Sequence, residues 1–138
     1  MQEKWIRWEP TSRLSAKYYV ESIVDIDEGF KIILYDCKHS EKKTMILFPD
    51  SVDAYRRTDE SFTLSTLHSL KENYGINFFG DWSFFKIENS EYLDWIKKQS
   101  FSISESLNFQ HFCILASDFM IDIITNYEPE VSHIEPNK

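Results

Sequence analysis

Apolar side chains recur with two periods along this chain of 138 residues, and the switches between them predict an order of elements. Lys17–Ile26 alternates. Tyr18, Val20, Val24 and Ile26 share one face with Ser22, whereas Tyr19, Glu21, Ile23 and Asp25 fall on the other, so a strand is expected with its more apolar face on the core. Asp27, Glu28 and Gly29 read as a turn, and Phe30–Tyr35 returns as a second strand. Cys37–Lys42 is a polar turn before a third strand at Lys43–Phe48, which completes an antiparallel meander. Pro49 and Asp50 end it, and Ser51–Ser61 reads as charged and irregular, or as a short edge element.

The period then lengthens. Leu64, Leu67, Leu70 and Tyr74 recur every three or four residues, which predicts a helix over Phe62–Tyr74 with Gly75 just past its end. Trp82–Glu88 is a fourth strand, and with Trp82 and Phe84 on one face and Phe85 and Ile87 on the other it belongs inside a sheet. Asn89 or Ser90 caps a helix at Glu91–Gln99, whose acids Glu91 and Asp94 come early and whose Lys97 and Lys98 come late, as the helix dipole favours. Its inward stripe is read as Tyr92, Trp95, Ile96 and Gln99. Phe109–Ala116 and Phe119–Tyr127 form the last two strands around a turn at Ser117 and Asp118. The expected architecture is α+β: a mainly antiparallel sheet of about six strands in the order βββ-α-β-α-ββ, two helices on one face, and the other face partly open. Residues 1–138 form a single domain, with 1–16 an N-terminal extension whose Trp5 and Trp8 pack on the domain edge, and 128–138 a C-terminal tail.

Composition adds a compartment. Two cysteines, Cys37 and Cys113, make no disulfide framework and read as cytosolic thiols. The first ten residues lack the apolar core of a signal peptide, and no apolar run reaches the roughly 18 residues of a membrane span. The expectation is a cytoplasmic protein with no membrane partner. Net charge is −8, and residues 101–138 hold six acids against one base. That excludes the basic footprint of a nucleic-acid binder and favours a basic protein partner.

Candidate chemistry is thin. Cys37 with His39, and His111 with Cys113, are pairs two residues apart that would give four metal ligands if they met. Their spacing fits no zinc motif, and no metal or cofactor is expected. Asp25 to Asp36 mimics a calcium loop but has Phe30 where the loop needs glycine. No nucleophile motif, phosphate loop or facing carboxylate pair is present, so no enzymatic activity is expected. The densest feature is aromatic: Tyr74, Phe78, Phe79, Trp82, Phe84, Phe85, Tyr92 and Trp95 fall within 22 residues. A core accounts for most of them, and a ligand pocket lined by Trp82, Phe84 and Trp95 is the alternative.

The segments FFKIENSEYLDWI and HFCILASDFMIDIITNYEPEV resemble small, acidic, mostly uncharacterised bacterial cytosolic proteins, several of which serve as immunity proteins in toxin systems. The resemblance covers roughly residues 80–131, with YRRTDES at 55–61 as a weaker echo, and implies no catalytic residues. Small size, the net charge of −8, the acidic last third and the lack of catalytic machinery give the matching expectation of a non-enzymatic protein-binding module, most concretely an immunity protein neutralising a toxin through an acidic surface, for which the expected contacts are Asp118, Asp122, Tyr127, Glu128 and Glu130. The alternative is a small-ligand binding or sensor domain built on the aromatic pocket.

Overall fold

The computed structural model describes residues 2–101 and 108–135; the last three residues of the expected tail lie outside them. The class is α+β and the pairing is antiparallel throughout. Among the described residues nine strands form two sheets, where the sequence predicts one of about six.

Strands β2 (Tyr18–Ile26), β3 (Gly29–Asp36) and β4 (Lys43–Phe48) are the expected meander, closed by β9 (Glu130–Ile134) on β4. Gly29 makes the first hairpin possible: its φ is +133°, and a Cβ there would lie 2.6 Å from the Phe48 carbonyl oxygen. The second sheet has the order β1 (Lys4–Arg7), β6 (Phe84–Glu88), β7 (Gln110–Leu115), β8 (Phe119–Thr125), β5 (Ala54–Asp59). The N-terminal extension, the charged stretch after Pro49 and the C-terminal tail each contribute an edge strand that hydrophobic periodicity did not reveal.

The two sheets stack. Phe30, Ile32, Leu34, Ile46 and Phe48 from one meet Phe84, Phe112, Ile114, Ile121 and Ile123 from the other in one buried cluster, with Trp8 and Tyr18 alongside. The face expected to lie open on the five-stranded sheet is therefore covered by a second sheet. Its opposite face carries Trp5, Phe85, Ile87, Cys113, Leu115 and Met120 under the helices. Helix α1 (Leu64–Tyr74) inserts Leu70 there, while Leu64 and Tyr74 from its expected stripe are exposed. The short α2 (Asn77–Gly80) supplies Phe78 and Phe79. Helix α3 (Glu91–Gln99) turns Tyr92, Leu93 and Ile96 inward, and Trp95 and Gln99 outward.

One cation knits the layers. Lys17 Nζ donates to the carbonyls of Phe79 (2.8 Å), Trp82 (3.1 Å) and Leu115 (2.7 Å). Burial pulls its pKa down from 10.5 to about 8.

Candidate functional site

Two arrangements stand out, one buried under α3 and one at an end of the sandwich.

Strand alternation places His111 and Cys113 on the helix side of β7, opposite in direction to Phe112 and Ile114. The register of β8 sets Asp122 beside Cys113, and that of β5 sets Arg56 beside Asp122. Arg56 Nε donates to Asp122 Oδ2 at 2.9 Å, and His111 Nε2 lies 2.6 Å from Asp122 Oδ1. His111 Nδ1 lies 2.6 Å from Ser90 Oγ, which accepts the Leu93 N–H at 2.9 Å as the N-cap of α3. The Tyr92 ring packs edge-on to His111 and carries the Arg56 guanidinium on its face, 4.1 Å from the centroid. Ser90, His111 and Asp122 are 6%, 2% and 1% exposed.

Burial raises the Asp122 pKa, but hydrogen bonding and charge from His111 and Arg56 outweigh it and leave the carboxyl below its ordinary value. Ionised Asp122 accepts from His111 Nε2, and Nδ1 shares a hydrogen bond with the Ser90 hydroxyl, which also takes the Leu93 N–H. The residue order Ser–His–Asp is that of an acyl-transfer triad, but with the two ring nitrogens exchanged, Nδ1 facing Ser90 and Nε2 facing Asp122. The geometry, however, spends Ser90 on capping a helix and sets its oxygen inward. Neither His39 nor Cys37 joins this group: Cys37 Sγ lies 3.3 Å from Ser117 Oγ, past the far end of β7. Burial first, and then Asp122, push the Cys113 thiol well above its ordinary value. Among the described residues no group of three or more His, Cys, Asp and Glu side chains is arranged to hold a metal ion.

Asp122 thus cannot serve as a surface contact, because its carboxylate is the centre of a buried bonding chain. Asp118 is also diverted: its carboxylate accepts the Val20 N–H (3.1 Å to Oδ1), pinning β2 next to a break in register between Val20 and Ser22. Strand β8 separates Asp118 from Tyr127 by about 20 Å, so those two do not converge. The aromatic pocket does not form either. Phe84 lies in the core between the sheets, whereas Trp95 is 55% exposed on α3 across the five-stranded sheet, beside Tyr92. Clefts of about 440 and 590 Å³ flank Ser90 and His111, and Trp82, Phe84 and Trp95 line neither.

Tyr127, Glu128 and Glu130 do come together, and other acids join them. The Tyr127 hydroxyl donates to the Asp50 carbonyl (2.6 Å) and accepts the Asp50 N–H (3.0 Å), tying the β8–β9 loop to the β4–β5 loop. The β2–β3 turn packs on the same loop through Gly29 and Pro49. Asp25, Asp27, Glu28, Asp50, Asp53, Glu128 and Glu130 are all exposed at this end. Lys86 pairs with Glu128, and Lys31 lies near the β2–β3 turn. Burial raises the Asp53 carboxyl. Burial, and then the negative field of Asp50 and Asp53, raise the Tyr127 phenol. Sequence distance hid the gathering, since the three loops lie up to about a hundred positions apart; only the pairing of β4 with β9 and of β5 with β8 brings them together.

The site and fold define an α+β protein in which a two-sheet sandwich carries helices on one outer face and acidic loops at one end. No family model matches the chain, and neither a curated protein nor a solved structure is significantly similar to it. Among the described residues no helix is long and apolar enough to cross a membrane.

Proposed function

We propose that this chain is a non-enzymatic protein-binding module of the bacterial cytoplasm whose acidic loop end receives a basic partner, most concretely an immunity protein occupying the active face of a toxin. The observation that carries the reading is the gathering of seven exposed carboxylates from three loops and the strand ends beside them, against two nearby cations, Lys31 and Lys86. Such a field attracts a basic surface and speeds its approach. Tyr127 supports it, since its hydroxyl holds two of the loops in register and limits the ordering that association would otherwise cost.

The test is binding to the product of the neighbouring upstream gene by biolayer interferometry, with and without the triple change Asp27→Lys, Asp50→Lys, Glu130→Lys. Tight binding by the natural chain and a loss of at least tenfold in the variant is the expected result. Equal binding by both proteins removes the acidic end from the mechanism. Failure of the natural chain to bind any basic neighbour product removes the immunity reading.

A further inference from the structure

We infer that the outer face of the four-stranded sheet is the apolar centre of the interface whose acidic edge is the loop end; the inference rests on the basic-partner reading above. Phe30, Ile32 and Leu34 point into the sandwich, so Lys31, Ile33 and Tyr35 point out. Ile46 and Phe48 likewise leave Met45 and Leu47 outward. The cross-strand register then sets Ser22, Ile33, Met45 and Ser132 in one row across the sheet, and Val24, Lys31, Leu47 and Glu130 in the next. Tyr19 and Tyr35 lie beyond the first of these, with ring centroids 5.5 Å apart.

Ile33, Met45 and Leu47 therefore form a contiguous apolar group at the middle of this face, with Val24 set apart from Leu47 by Lys31. The helices pack on the opposite side of the molecule, against the other sheet. Ile33 is buried at 9% exposure, and Val24, Met45 and Leu47 are half-buried, so the surface they leave to a partner is carried by the latter three. An antiparallel sheet with one face on the core ordinarily puts polar residues on the other, and an apolar outer face marks a place where something docks.

Charge decides what docks. The row that holds Val24 and Leu47 ends in Glu130, and the adjoining turn carries Asp25, Asp27 and Glu28. The acidic end is thus continuous with one side of the apolar block, giving an apolar centre with a charged rim. A second copy of a chain of net charge −8 would bring its own acidic rim against this one and be repelled. A protein with an apolar patch bordered by Lys and Arg matches both parts.

The experiment places a photo-crosslinking amino acid in the full chain, in cells, at position 45 on the sheet face, 51 in the acidic loops or 95 on α3. Each is made in the natural background and with Asp27→Lys and Glu130→Lys. The expected result is an adduct with one basic protein from positions 45 and 51, none from 95, reduced about tenfold or more by the charge reversals. With that protein purified, Met45→Arg weakens binding at least tenfold without changing thermal melting. Ser132→Arg, at an exposed neighbour in the same row, serves as the second variant if Met45→Arg unfolds the sheet. A charge-dependent adduct from 51 but not from 45 overturns the sheet-face inference and leaves the basic-partner reading standing. An adduct of twice the chain's mass from 45 assigns the face to self-association and overturns the inference. No adduct from any position overturns both.

Discussion

At Asp122 burial and bonding pull in opposite directions, and bonding wins. The carboxyl is held below its ordinary value, so the folded state keeps it ionised at a pH where the unfolded chain, near about 3.9, takes up a proton. A depressed carboxyl pKa adds stability above the unfolded value, and that stability is lost as pH falls through the folded one. The expected outcome is an acid limb of unfolding below about pH 4, shallower in Asp122→Asn when followed by urea titration at successive pH values. Asp122→Ala leaves the buried His111 Nε2 without its partner, while the half-exposed Arg56 keeps water, and is expected to cost about 1–3 kcal/mol at neutral pH. Lys17 gives a slope of the same sign from the opposite cause, since burial disfavours its charged form. Its folded pKa of about 8 lies below the free value, so between about pH 8 and 10 the unfolded chain holds more protons and stability rises with pH. Lys17→Met should lack that rise, and the difference between the two stability curves isolates it from the titration of tyrosines and thiols.

At the scale of elements, α3 has no fully buried side chain of its own and depends on its first turn, where Ser90 caps the helix and reaches His111. Ser90→Ala is expected to cost about 1 kcal/mol and to raise amide exchange across residues 91–99 by several-fold, with less change in β7 and β8, as hydrogen-exchange mass spectrometry would show. Gly29→Ala meets the Phe48 carbonyl at 2.6 Å with a φ of +133°, and should destabilise the β2–β3 hairpin by more than about 1 kcal/mol, read as a fall in urea midpoint. The meander, the two long helices and the final hairpin were legible as elements because their apolar residues recur at strand or helix spacing, although Leu64, Tyr74, Trp95 and Gln99 of the expected helix stripes face solvent and a register break between Val20 and Ser22 interrupts the alternation of β2. Strand β5 was legible only as the alternative of a short edge element, because Arg56 and Arg57 hold places that Val or Ile would hold in an ordinary strand. They pack through ring contacts, Arg56 on Tyr92 and Arg57 on Phe119, and Arg56 also ends on Asp122. Strands β1 and β9 are too short, at four and five residues, for alternation to register. Of the expected surface residues, Tyr127, Glu128 and Glu130 meet at one end. Asp118 and Asp122 were misplaced because an acid on a strand or turn does not announce the backbone amide or buried imidazole it serves.

Across the whole molecule the charge is polar in arrangement. One end gathers Asp25, Asp27, Glu28, Asp50, Asp53, Glu128 and Glu130 against Lys31 and Lys86, whereas at the other Arg13, Lys17, Lys38, Lys42 and Lys43 are interspersed with Asp36, Glu41, Asp59, Glu60, Asp118 and Glu135. A basic partner approaching in solution is therefore steered to the loop end before any contact forms, and the steering weakens as the Debye length falls from about 10 Å at 0.1 M salt to about 3 Å at 1 M. Neutralising Asp27, Asp50 and Glu130 with amide side chains should slow association about tenfold at low salt and have little effect at high salt, while leaving dissociation nearly unchanged. The matched change Glu41→Gln with Glu135→Gln alters net charge at the other end and should leave the association rate where it was. Stopped-flow association measured across a salt series separates the two. Equal slowing by both sets would mean that net charge alone governs encounter, and that the gathering of the three loops directs nothing.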